Sequence, residues 1–162
     1  LVSCDRNLYP DLPQRLQAYR EAFSAREIRF EIVCACSARF LLLVYNQPQL
    51  ERRMADPQVQ HILRRFEYPV GQPLDVLLRN LKRRIAMCDN FPHEIGLFLG
   101  YPIEDVVGFI RYAGKGCKLS GLWKVYGDAE AASQMFDRLS RVCHAVTKRV
   151  DEGETLFQVF AA

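Results

Sequence analysis

Residues 28–45 read IRFEIVCACSARFLLLVY, and the fold turns on how this run is divided. In its first half, Ile28, Phe30, Ile32, Cys34 and Cys36 alternate with Arg29, Glu31, Val33, Ala35 and Ser37. A period of two places each set on its own face of a strand. Only the first set is uniformly apolar, so it predicts the buried face. Residues 40–45 are apolar on both faces and predict a central strand covered on each side. The short link at 37–39 makes the pair an antiparallel hairpin.

Outward from the hairpin the pattern becomes helical. Residues 14–25 place Leu16, Tyr19 and Phe23 on one stripe, after an irregular, proline-punctuated segment at 1–13. Beyond the hairpin, Pro48, Pro57, Pro69 and Pro73 cut a helical stretch into pieces at 49–55, 58–66 and 74–88. Asp89 or Asn90 is placed to cap a further helix with Pro92 in its first turn, Glu94 near the positive end of its dipole, and Gly100 at its stop. Pro102 opens the next, with Ile103, Val106, Val107 and Ile110 at helical spacing. A glycine-punctuated loop at 114–121 leads to a third strand at 122–126. Asp128 caps a long final helix with the stripe Ala132, Met135, Phe136, Leu139, Val142 or Cys143, Val146, Val150, and Gly153 ends it. The sum is one α+β domain over 1–162: a small, mainly antiparallel sheet packed by several helices.

The chain of 162 residues, 49% hydrophobic and 25% charged, is long enough to bury a core and excludes disordered or collagen-like classes. No apolar run reaches the ~18 residues of a membrane span, so no membrane partner is expected. The six cysteines fall mostly within apolar-periodic segments, and Cys34 and Cys36 share one strand, where a bridge would be strained. Reduced thiols and a cytoplasmic location follow as the simpler expectation. The chain opens at Leu1 with no signal peptide in view, and its native start is left open. Net charge is +3, with a basic region in which Arg52, Arg53, Arg64, Arg65, Arg79, Lys82, Arg83 and Arg84 face only Glu51, Asp56, Glu67 and Asp75. That region reads as the solvated face of amphipathic helices, or as a docking face for an acidic protein partner.

The strings FPHEIGLFLGYPIEDVVGFI at 91–110 and WKVYGD at 123–128 fix aromatic, glycine and proline positions in order. They resemble a bacterial family of uncharacterised proteins, the domain-of-unknown-function family 3793. The likeness runs from LLLVYNQPQL to the final helix. The chain departs from the family at two places: Cys4 is followed by Asp5, Arg6 and Asn7 rather than an Ala-Pro-Thr-like segment, and Ser120 stands where a cysteine is common. The resemblance implies a cytoplasmic α and β domain and no established activity.

Three groups of residues invite chemistry. His93, next to Glu94, sits at a helix N-terminus, which favours the neutral imidazole of a base or metal ligand. A capping and packing role gives the same sequence, and no second histidine follows at i+4, so no metal site is expected. Cys117 lies in GKGCKLSG, where flanking lysines favour the thiolate, making it the candidate nucleophile or redox thiol with His93 as base. Tyr101, Lys118, Trp123, Lys124 and Tyr126 are the candidate walls of a ligand pocket, with Trp123 also read as core. His93 and Cys117 are expected to share one cleft.

The helix–Gly-Tyr-Pro–helix arrangement is similar to a DNA-reading motif, but Glu104 and Asp105 at the start of its second helix would repel phosphates, so no nucleic acid is expected. The function expected is a cytoplasmic accessory module binding a small ligand, cofactor or protein partner through 91–101 and 114–126. The alternative is a cysteine-dependent enzyme. The cofactor, the ligand and the oligomeric state are left open.

Overall fold

Three strands build the main sheet: β1 (Val2–Asp5), β2 (Ile28–Ala35) and β3 (Arg39–Asn46), in the order β1–β3–β2, with both ladders antiparallel. β3 is therefore central, as its two-faced apolar run predicts. The computed structural model describes residues 1–87 and 91–160, which divide into two compact units, Leu1–Val106 and Val107–Ala162. Together the elements make an α+β architecture.

The opening segment differs from its irregular reading. Val2 pairs with Leu42 and Asp5 with Arg39, so this stretch supplies an edge strand. A four-residue edge strand exposed along most of its length needs no apolar alternation, which is why the sequence pattern is silent there. The α-helix that follows, α1 (Leu12–Phe23), begins two residues early because Pro13 is tolerated in its first turn.

The hairpin register holds as far as Ile32 and then shifts. Ile32 pairs with Leu42 but Cys34 with Leu41, leaving Val33 as the extra residue of a β-bulge. Because cross-strand partners share a face, the bulge moves Cys34 to the face opposite Ile32. Val33, not Cys34, is the buried side chain there, only 3% exposed. Cys36 falls past the end of β2, exposed in the turn. Neither thiol keeps the place the simple alternation gave it.

Both faces of the sheet are covered. Phe30 packs on Tyr19 and Phe23 of α1, ring centroids 5.8 and 5.7 Å away. The other face carries Glu31, which forms an ion pair with Lys82, and the fully buried Leu43. Against that face lie α2 (Gln47–Ala55) and α4 (Leu74–Met87), with α3 (Pro57–Arg65) packed on α2; their buried side chains include Leu50, Val59, Leu63, Leu77 and Leu81. Pro48 and Pro57 sit in first turns. Asn46 Oδ1 accepts from the Gln49 amide at 3.0 Å, and Asp56 Oδ1 from the Gln58 amide at 2.7 Å. Cys88, expected at the end of α4, and the capping candidates Asp89 and Asn90 lie outside the described residues.

The next helix is a single turn, α5 (Ile95–Phe98), with all four residues buried. Gly100, at φ +79°, turns the chain into α6 (Ile103–Tyr112), where Val106 is buried and Val107 exposed.

In the second unit, the strand expected over 122–126 shrinks to β5 (Lys124–Val125), which pairs only with β4 (Leu119–Ser120) in a separate ladder. Asp128 caps α7 (Ala129–Asp151) by accepting from the Glu130 and Ala131 amides at 3.0 Å. Of the expected stripe on α7, only Ala132 is buried; Met135, Leu139, Val142 and Val150 are exposed. Gly153, at φ +97°, follows the helix end, and Arg149 ties it to α8 (Leu156–Val159) by gripping Glu154 and the Val159 carbonyl. Among the described residues, no helix is long and apolar enough to cross a membrane.

Candidate ligand site

The two members of the His93–Glu94 pair face different surroundings. His93 is exposed, while Glu94 is 1% exposed. A one-turn helix offers little dipole to stabilise a carboxylate. Glu94 instead accepts from Arg84 Nε at 2.5 Å and from the Tyr68 hydroxyl at 3.2 Å. The Arg84 guanidinium also lies over the Phe66 and Tyr68 rings, 5.3 and 5.7 Å from their centroids. Burial, and next the negative charge of Glu94, push the Tyr68 phenol far above its ordinary range. Glu94 thus anchors the chain before α5 to α4 and to the 66–68 turn, a tie that sequence spacing does not reveal.

The second group of candidates assembles around the β4–β5 ladder. Lys118 Nζ donates to the Gly127 carbonyl at 2.7 Å and Lys124 Nζ to the Gly114 carbonyl at 2.7 Å, closing the glycine-rich loop at both ends. Trp123 is half-buried, edge-on to Phe136 at 4.5 Å. Tyr126 stacks on Tyr112 at 5.8 Å. Its ring lies where Gly108 has no side chain: a Cβ there would come within 2.3 Å of the ring. Cys117 is half-buried beside Tyr126, close enough for its thiolate charge to push that phenol's pKa up, second to burial. His93 belongs to the unit Leu1–Val106 and Cys117 to Val107–Ala162.

The thiol held below its ordinary pKa is Cys36, which the strand pattern reads as a core residue. The backbone amides of Ala38 and Arg39, pointing at its sulfur in the hairpin turn, are the cause. The five described cysteines, Cys4, Cys34, Cys36, Cys117 and Cys143, are free. Among the described residues, no group of three or more His, Cys, Asp or Glu side chains converges as a metal site.

Tyr101 leads to a different place. It borders an open cavity of about 500 Å³ between β3, α2 and the 98–101 turn, floored by Leu43, Leu50 and Phe98. Gly96 lets α5 pack tightly on α6 and the Tyr101 ring, since a Cβ there would meet the Val106 and Tyr101 side chains at 2.8 and 3.2 Å. Arg53, in the last turn of α2, donates from Nη2 to the Tyr101 carbonyl at 2.6 Å. Its Nε–H is buried without a hydrogen-bond partner among the described residues, and no carboxylate among them forms an ion pair with it. Among the described residues it is the only charged side chain lining the cavity, which the Leu1 amino group also borders. Tyr45, also on the lining, is half-buried; burial and then Glu31 raise its pKa, and burial alone raises that of Tyr101. Both phenols therefore stay protonated at neutral pH and can donate hydrogen bonds.

A second cavity of about 380 Å³ on the same face of the sheet makes the contrast. Its charges are matched internally: Lys82 with Glu31, Arg79 with Asp75 at 2.6 Å, and Arg29 through Gln47 to Glu51, each link 2.8 Å. Of these two cavities, the Arg53 one presents a side-chain cation with no matching anion among the described residues. Sequence reading placed Arg53 within the basic run and missed this role. The one hint is its position nine residues after Val44 on the helix that leaves the central strand; pairing it with the Tyr101 carbonyl takes tertiary structure.

A family model described as "Protein of unknown function (DUF3793)" matches residues 1–160, and the chain belongs to that family. Comparisons with curated proteins and with solved structures found no match.

Proposed function

From membership of a family without an assigned activity, we propose that this protein is a cytoplasmic accessory module that binds a small ligand in the cavity between β3, α2 and the 98–101 turn. One observation carries the reading: a half-buried arginine with no ion pair among the described residues lines a cavity whose floor is apolar. A binding pocket commonly combines apolar walls with a few convergent polar groups, and this one offers Arg53 and the phenols of Tyr45 and Tyr101. The reading keeps the 91–101 segment as part of the binding face and adds β3 and α2 to it. Free thiols support a reducing compartment.

Filling the mouth tests the proposal. Gln49 of α2 borders the cavity and is exposed, so Gln49→Trp adds bulk there without entering the core. The neutral dye 1-N-phenylnaphthylamine, which fluoresces in apolar surroundings, is expected to titrate saturably with the native protein. It should lose most of that signal with Q49W while circular dichroism is unchanged. Equal saturable signal from both proteins, or none from the native one, would contradict the assignment.

A further inference from the structure

We infer that the ligand of this cavity is a monocarboxylate with an apolar body, an inference that rests on the cavity being a binding site. The charge count sets the class. One guanidinium with no ion pair among the described residues matches one negative charge; a dianion such as a phosphate monoester would bring a second, and on the lining only the Leu1 amino group, which burial biases toward its neutral form, is left to meet it. Geometry sets the head group. A guanidinium is a planar fork of donors that suits the two oxygens of a carboxylate, and Arg53 gives the Tyr101 carbonyl one Nη2 hydrogen, leaving other N–H groups. The phenols of Tyr45 and Tyr101 supply neutral donors that strengthen anion binding without adding charge. The floor sets the body: Leu43, Leu50 and Phe98 offer no hydrogen-bonding side chain, so the part of the ligand beyond its head group is apolar.

The reason for an uncompensated arginine at this position is then chemical. A cation taken partly out of water is costly unless something pairs with it. The Tyr101 carbonyl offers a dipole but no charge. A bound carboxylate supplies the missing charge, so discrimination between an acid and its neutral isostere should be large, because the amide leaves the cation unmatched.

The test uses three probes with one body: 2-naphthoate, 2-naphthamide and 2-naphthyl phosphate, titrated into the full chain and followed by amide proton–nitrogen NMR spectra. Naphthoate is expected to shift the resonances of Leu43, Leu50 and Tyr101 and to bind about tenfold more tightly than naphthamide, the ratio that one good charge-assisted hydrogen bond provides. In Arg53→Gln the acid should fall to the affinity of the amide, while the amide itself changes little. Because the acid-to-amide ratio is read on the native protein, the inference stays open to refutation even if R53Q misfolds. Amide binding as tight as acid, or phosphate tighter than acid, overturns the carboxylate class and leaves the cavity as a site. Failure of all three to shift those resonances overturns the cavity reading itself, and this inference with it.

Discussion

Arg84, Glu94 and Tyr68 show how single residues fix the segment that opens the 91–110 string. Glu94 is buried with a charge, and a buried charge stands only with partners. It accepts from Arg84 Nε at 2.5 Å and from the Tyr68 hydroxyl at 3.2 Å. Glu94→Ala strips the guanidinium of its ion pair and leaves the Tyr68 hydroxyl without its acceptor. Urea denaturation should show a loss of about 3 kcal/mol, the scale for breaking a buried pair by removing one member. A loss typical of surface residues would mean the pair is solvated in solution. Tyr68 adds a pH dependence of known sign. Its pKa in the folded state lies above the unfolded value near 10, so above pH 10 the unfolded chain releases a proton that the folded chain keeps. Stability is therefore full below about pH 10 and falls as pH rises beyond it. Denaturant midpoints measured from pH 8 to 11 should drop, and Tyr68→Phe should flatten the drop; a native midpoint independent of pH across that range contradicts the buried phenol.

At the scale of elements, glycines set how the strings at 91–110 and 123–128 pack. Gly96 admits Tyr101 and Val106, and Gly108 admits the Tyr126 ring onto α6. The atoms a Cβ at 108 would meet include Tyr126 Cβ and Cγ at 2.5 and 2.3 Å, too near the backbone to swing aside. Gly108→Ala should thus destabilise the protein by about 2 kcal/mol through overpacking, against the small gain that alanine normally brings to a helix. A thermal melt at or above the native midpoint would refute that packing.

The elements themselves were largely legible. Prolines at first turns, the Asp128 cap and the two-faced run at 40–45 located helices and the central strand within a few residues. What escaped was whatever depends on partners distant in sequence. The bulge at Val33 reversed Cys34 because alternation cannot announce an inserted residue. The edge strand at Val2–Asp5 exists only through its pairing with β3. The α7 stripe was read correctly as apolar, yet apolar spacing states which residues share a face and not whether that face is covered.

For the whole molecule, the site proves less legible than the fold, and for a physical reason. Motif chemistry drew attention to His93 and Cys117, residues with reactive side chains in glycine- or proline-rich junctions. Trp123, Lys124, Tyr126 and Asp128 of the WKVYGD string make local contacts and caps within the second unit. The cavity in the first unit is announced by a charge imbalance, which a sequence cannot display: eight basic residues in the helical region look alike until their partners are known. Tyr101, a sequence candidate, does border the cavity beside Arg53. The central claim is that Arg53 holds a ligand anion there, and the most direct measurement is its own Nε–H resonance, assigned by its loss in R53Q and followed as 2-naphthoate and then 2-naphthamide are added. The account predicts a saturable shift with the acid, at the same midpoint as the backbone signals of Leu43 and Leu50, and a much smaller one with the amide. A resonance that stays still while the acid binds would contradict it.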